Sequence, residues 1–184
     1  QESLLKRIIL GINTFQLGEN FLRKELKMLR RCRVCKSFKL KKVFSLGRQP
    51  LANSLLKEPG KAKTYPLDLY QCQHCTLLQL GKVVPKEEMY EEYYYIPSVA
   101  KTGVAHFKKL AQKLIGTLKF KSNSLVVDIG GNDGSLLNEF KKRRMKVLNV
   151  EPAKNIKVLN NIDTIREYFN QNIASVIIDS IGKA

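Results

Sequence analysis

Ser124-Leu125-Val126-Val127-Asp128-Ile129-Gly130-Gly131-Asn132-Asp133-Gly134 is a short apolar run closed by a glycine-rich bend. An unbroken Leu-Val-Val segment predicts a buried parallel strand, because a strand with one wet face alternates apolar and polar residues. The glycines predict a tight turn, and Ser135 to about Arg144 follow with the spacing of an amphipathic helix. Strand, turn and helix in this order open a βαβ unit. The missing side chains let backbone approach a ligand, and the helix N-terminus offers N–H groups without partners. Gly130 and Gly134 are the positions where a side chain is expected to obstruct most.

Downstream, Lys146-Val147-Leu148-Asn149-Val150 predicts a second strand that ends on Glu151, 17 residues after Gly134. A carboxylate at the tip of the second strand is placed to accept both ribose hydroxyls of a nucleoside. The turn is not GxGxxG. Its acids, Asp128 and Asp133, would repel a pyrophosphate but suit a ligand carrying a sulfonium and an amino group. That favours S-adenosylmethionine over a dinucleotide. Asp128, Gly130, Gly131, Asn132, Asp133, Gly134 and Glu151 are the candidate cofactor-binding residues, against the blander reading of a tight strand-to-helix connection.

Asn161 to Ile165 predicts a third strand. Gln171 to Ile181 predicts the helix after it, although Ile173 to Ile178 has strand-like composition. Three strands leave a sheet edge bare and half of such a pocket unbuilt, so this segment alone is expected to be inactive.

Upstream lie two CxxC pairs, Cys32-Arg33-Val34-Cys35 and Cys72-Gln73-His74-Cys75, separated by 36 residues. Each pair points two thiolates at one spot, and together they supply the closed tetrahedral shell of structural zinc. Disulfides are the poorer reading for a reduced compartment, and a thioredoxin-type site needs only one pair. His74 is expected to be an exposed bystander. The bases Arg30, Arg31, Arg33 and Lys36 would offset the charge of four thiolates. The long intervening loop is expected to fold back as a hairpin or lid.

Between these parts, Met89 to Ser98 holds four of the seven tyrosines. Tyr93 and Tyr95 share a side if the chain is extended, and could line a cleft between modules or simply pack them together. His106 is read as starting a helix with Leu110 and Leu114 nearby. It is a structural residue or a proton carrier.

The bulk properties bound these readings. The chain has 184 residues and is 43% hydrophobic, which excludes a disordered polymer. No apolar run approaches the roughly 20 residues that span a bilayer. No secretory signal is evident, so a cytoplasmic protein with no membrane partner is expected. The net charge is +17: residues 1–50 carry thirteen Lys/Arg against three acids, and residues 101–150 eleven against three. Solvated Lys-rich faces account for this, and phosphate-bearing partners are the sharper alternative. Gln1 and Ala184 read as cut ends. The organisation expected is a basic helical leader at 1–30, a zinc-binding module at 31–84, a helical connector at 85–121 and the first half of a nucleoside-binding Rossmann-like domain at 122–184. The fold class is therefore α/β, a small four-cysteine module followed by an incomplete Rossmann-like domain.

Together these residues resemble the sugar C-methyltransferases, class I methyltransferases that carry an N-terminal zinc-binding domain. The resemblance runs through the CxxC pairs, Leu46-Gly47-Arg48-Gln49-Pro50-Leu51-Ala52-Asn53, Cys75-Thr76-Leu77-Leu78-Gln79-Leu80 and Val84-Pro85. It continues through Tyr93, Tyr95, Ser98 and His106-Phe107, then Asp128 to Gly134 and Glu151-Pro152-Ala153. It covers about residues 31–184; Pro97 departs from the family's YxYxSS pattern. It implies S-adenosylmethionine as cofactor, a structural zinc capping the sugar pocket, and methylation of a carbon beside the ketone of a nucleotide-linked deoxysugar. The family's C-terminal domain, which supplies candidates for the base, is absent, so no base is assigned. Tyr93, Tyr95 and His106 are the residues to test as catalytic, in a protein expected to be a monomer. Rival readings are an RNA methyltransferase and a non-catalytic zinc- and nucleoside-binding module. Against RNA, the zinc module lacks aromatics interleaved for base stacking.

Overall fold

The computed structural model describes residues 29–182 other than 53, 57, 59, 61 and 122, so the leader expected at 1–30 lies almost wholly outside the described residues. The described chain falls into two compact units that divide between Tyr94 and Tyr95.

In the first unit, β1 (Leu40–Pro50) pairs antiparallel with β2 (Thr64–Cys72), and β2 with β3 (Leu78–Leu80). The stretch between the cysteine pairs is thus a long hairpin. Its register slips between Lys42 and Phe44 and again between Ser45 and Arg48, where Gly47 takes φ 68°. Such bulges add twist to an edge strand. Asp68 of β2 ties the slipped strand down, accepting from Lys42 Nζ at 2.8 Å and from Ser45 Oγ at 2.5 Å. Helix α1 (Lys86–Tyr90) contributes Glu88, which accepts from the buried Tyr65 hydroxyl and from Lys63 Nζ. The buried side chains here include Cys32, Tyr65, Cys72 and Gln79. That is a thin core for a folded unit, and a bound metal would have to make up the difference.

The second unit begins with a 3-10 turn (Pro97–Val99) and helix α2 (Lys101–Leu118). Strand β4 (Leu125–Ile129), helix α3 (Ser135–Lys141), β5 (Lys146–Val150), β6 (Thr164–Ile165) and helix α4 (Gln171–Ile181) follow. The sheet is parallel, in order β4-β5-β6. Alternation along the strands sends side chains to two layers. Leu125, Val127, Leu148, Val150 and Ile165 meet Ile173, Val176 and Ile177 of α4. Val126 and Val147 meet Ala111 and Leu114 of α2 and Leu137 and Phe140 of α3. Leu137, Phe140 and Leu148 are almost completely buried, each worth about 1.5–3 kcal/mol of transfer free energy. Among the described residues this unit therefore has the larger apolar core.

Four expectations need correction. Strand β4 is half-buried, with Ile129 exposed, because among the described residues β5 is its only neighbour in the sheet. Helix α3 ends at Lys141 rather than near Arg144, which takes φ 61°. The third strand is two residues long. Asn160 and Asn161 adopt φ 49° and 48° in a 3-10 turn (Leu159–Asn161), and their carbonyls accept from Lys141 Nζ at 2.8 and 3.2 Å. His106 is the sixth residue of α2, not its start, and is exposed.

Candidate functional site

The two cysteine pairs are built alike. In each, the residue after the second cysteine turns left-handed, Lys36 and Thr76 both at φ 61°. Its N–H then donates to the carbonyl of the first cysteine, Lys36 to Cys32 at 3.1 Å and Thr76 to Cys72 at 2.9 Å. The turns bring all four Sγ atoms within 4.8 Å of one another, with Cys32 to Cys75 and Cys35 to Cys72 both at 3.5 Å. Sulfurs about 2.3 Å from a tetrahedral zinc stand roughly 3.8 Å apart, so the set fits that ion.

Protonation makes the same point. Burial opposes ionisation of Cys32, but N–H groups of Cys35 and Val34, with the neighbouring thiols, outweigh it and hold Cys32 at about 6. At Cys35 the N–H of Ser37 favours the thiolate, yet burial and the other three cysteines push it up to about 12. Four thiolates this close require a cation between them. His74 is exposed, its N–H 3.4 Å from Cys72 Sγ, and its ring is not in the ligand cluster. Two of the four bases have local partners, Arg31 over the ring of Phe38 at 4.3 Å and Lys36 Nζ on the Arg33 carbonyl at 2.7 Å.

Gln79 is a residue the sequence quoted without a role. Buried on β3, it accepts from Arg33 N–H at 2.9 Å and donates to the Arg31 carbonyl at 3.3 Å, clamping the first cysteine turn. A lone amide between two leucines in an alternating strand was the available signal.

In the parallel sheet, Asp128 and Asn149 are register partners at the C-terminal ends of β4 and β5. Beyond them the bend carries Gly130 at φ 75° and Gly134 at φ 78°. The crowded position is Gly131, which was not expected to be the tightest. A Cβ there would lie 2.5 Å from Asn149 Oδ1 and 2.8 Å from Asp128 Cγ. At Gly134 a Cβ would meet Ile162 Cδ1 at 2.8 Å, whereas at Gly130 it meets nothing within 4 Å. Gly130 thus keeps its conformation and leaves open space.

Glu151 stands beside this bend. Its Oε2 accepts from Asn132 N–H at 2.9 Å and its Oε1 from Ala153 N–H at 2.8 Å. A carboxylate has about four lone-pair sites, so about two remain for a vicinal diol. Asp128 is pushed above the usual carboxylate range, first by burial and then by the charge of Glu151. Asp133 is committed differently. Its oxygens accept from Ser98 N–H and Ser135 N–H, both at 3.0 Å, and although burial opposes its charge these amides hold it below the usual range. The acids expected to greet a cationic ligand are therefore one with a weakened charge and one occupied with backbone. Asn149 Oδ1 and Ser135 Oγ are buried without a partner, polar capacity at the bend that a bound group or water would use.

The bend also gathers part of the connector. Asn132 Nδ2 donates to the Tyr95 carbonyl at 2.8 Å, so Tyr95 belongs with the parallel sheet. Tyr93 lies in the other unit, its ring 6.0 Å from that of Tyr90. His106 stacks edge-on against Phe107 at 5.6 Å, and the described contacts do not bring it together with either tyrosine.

Fold and site define a class: a four-cysteine metal-binding module followed by a small parallel sheet with a glycine bend at its C-terminal end. Residues 32–90 match the family described as "Putative zinc binding domain". The chain is also similar to C-methyltransferase NovU of Streptomyces niveus, 30% identical over 159 residues that cover 83% of this chain and 38% of that protein. The resemblance runs over most of this chain, which spans well under half the length of this relative. Among the described residues, no helix is long and apolar enough to cross a membrane.

Proposed function

We propose that this chain forms the zinc- and nucleoside-binding part of an S-adenosylmethionine-dependent C-methyltransferase acting on a nucleotide-linked keto-deoxysugar in the cytoplasm. The observation that carries the reading is Glu151, a buried carboxylate with spare acceptor capacity, fixed beside the glycine bend at the end of β5. When bound, S-adenosylmethionine supplies a methyl group on a sulfonium, an electrophile for a carbon beside a ketone. Glu151 would hold the ribose hydroxyls, and the space over Gly130 would admit the nucleoside. Asp133 keeps the bend in shape by accepting from the Ser98 and Ser135 amides. The zinc is structural, since four sulfurs fill a tetrahedral shell and leave no position for a reacting water. Tyr93, Tyr95 and His106 remain the residues to mutate in search of a proton carrier.

The test offers labelled S-adenosylmethionine to the complete protein containing this chain, with nucleotide-linked 4-keto sugars and RNA in parallel. Transfer to sugar carbon is expected. Transfer to RNA, favoured by the exposed Lys101, Lys108, Lys109 and Lys113 along α2, would replace the substrate assignment. Cofactor binding without transfer to either would leave a binding module.

A further inference from the structure

We infer that Asn132 is a positioning residue that couples the nucleoside-binding end of the sheet to Tyr95. Four bonds converge on this one residue. Its N–H donates to Glu151 Oε2 at 2.9 Å, and its carbonyl accepts from Asn149 Nδ2 at 3.0 Å. Its Nδ2 donates to the Tyr95 carbonyl at 2.8 Å, and its Oδ1 accepts from Asp133 N–H at 2.8 Å. It is buried and left-handed at φ 52°, a conformation that asparagine tolerates and most side chains do not. The next residue repeats the tie, with Asp133 Oδ2 accepting from Ser98 N–H. The stretch from Tyr95 to Ser98 is therefore sewn at both ends to two consecutive residues of the bend, while the Tyr95 side chain stays 56% exposed.

The peptide that touches Glu151 and the side chain that holds Tyr95 belong to the same residue. A ligand that engages Glu151 orders this residue, and the order reaches the Tyr95 backbone through a single amide. By linkage, fixing Tyr95 strengthens ligand binding by the same factor. The inference rests on the nucleoside reading of Glu151.

The experiment measures backbone hydrogen exchange at residues 95–99 of the full chain, with and without saturating S-adenosylhomocysteine. In the native protein the ligand is expected to slow exchange there about tenfold, the equivalent of one good hydrogen bond. Asn132→Gly keeps the left-handed backbone but removes the side chain. Asn132→Asp keeps the shape and sets an oxygen against the Tyr95 carbonyl. Both are expected to show no ligand-dependent slowing at 95–99, with unaltered exchange in α4 reporting an intact fold. By the same linkage the Asp variant is expected to bind S-adenosylhomocysteine about tenfold more weakly than the native chain, read by calorimetry. Ligand-dependent slowing that survives in both variants, or ligand binding that never slows residues 95–99 of the native chain, overturns the coupling and leaves the nucleoside site standing. Failure of the native chain to bind the ligand at all overturns both.

Discussion

Asn132 and Glu151 lie on successive connections of the parallel sheet, and the amide of the first donates to the carboxylate of the second at 2.9 Å. The bond welds the tip of β5 to the glycine bend, so disturbing the carboxylate disturbs both. Glu151→Gln puts an NH2 group against either Asn132 N–H or Ala153 N–H. The expected cost is about 1–3 kcal/mol of stability and at least ~10-fold weaker binding of S-adenosylhomocysteine, read by thermal unfolding and calorimetry.

The glycines of the bend should differ in a defined order. Gly131→Ala drives a methyl to within 2.5 Å of Asn149 Oδ1 and 2.8 Å of Asp128 Cγ, while Gly130→Ala meets no atom and bears only the strain of φ 75°. Overpacking costs about 1–3 kcal/mol, and a left-handed alanine about 1–2 kcal/mol. Urea midpoints should therefore rank native above Gly130→Ala above Gly131→Ala. A reversed order would mean that the contacts beneath Gly131 relax freely.

Acid should act on Asp133 in a known direction. Its carboxyl is held below the ordinary 3.8 by Ser98 and Ser135 amides. The stability it contributes is complete above that value and is lost as pH falls through the lower folded-state value. Asp133→Asn should lose about 1–3 kcal/mol at neutral pH and show a shallower decline in strong acid than the native chain. Parallel pH profiles of the two would contradict this account.

Removing metal should affect the two units unequally. The unit at 29–94 has little apolar core, whereas the unit at 95–182 buries Leu137, Phe140, Leu148 and Ile156. A strong chelator is expected to release one zinc per chain and abolish exchange protection in β1 and β2, with β4 and β5 still protected. Lowering the pH should make release easier, because protons compete for the thiolates. Equal loss of protection in both units would refute the division of labour.

Much of this architecture was legible because it follows from residue type and spacing. The paired CxxC motifs demand convergence whatever the intervening loop does, and Glu151 had to end a strand beside the bend once Lys146 to Val150 read as apolar. The helix at Gln171–Ile181 was readable despite its β-branched run, and Asn170 caps it by accepting from Ile173 N–H at 3.0 Å. What escaped depended on tertiary contact. The crowding at Gly131 comes from Asn149 and Asp128, which the register of two strands brings together. The commitment of Asp133 comes from Ser98, 35 residues away. Gln79 between two leucines left a local trace, and so did the shortened third strand, since Asn160-Asn161 is a pair suited to left-handed backbone.

The twin cysteine turns are alike in geometry but not in comfort. Thr76 is β-branched at φ 61°, where such residues are genuine outliers, while Lys36 in the matching place is unbranched. The module is thus a clasp with one stiff hinge, kept in its left-handed turn by the Thr76 N–H on the Cys72 carbonyl at 2.9 Å.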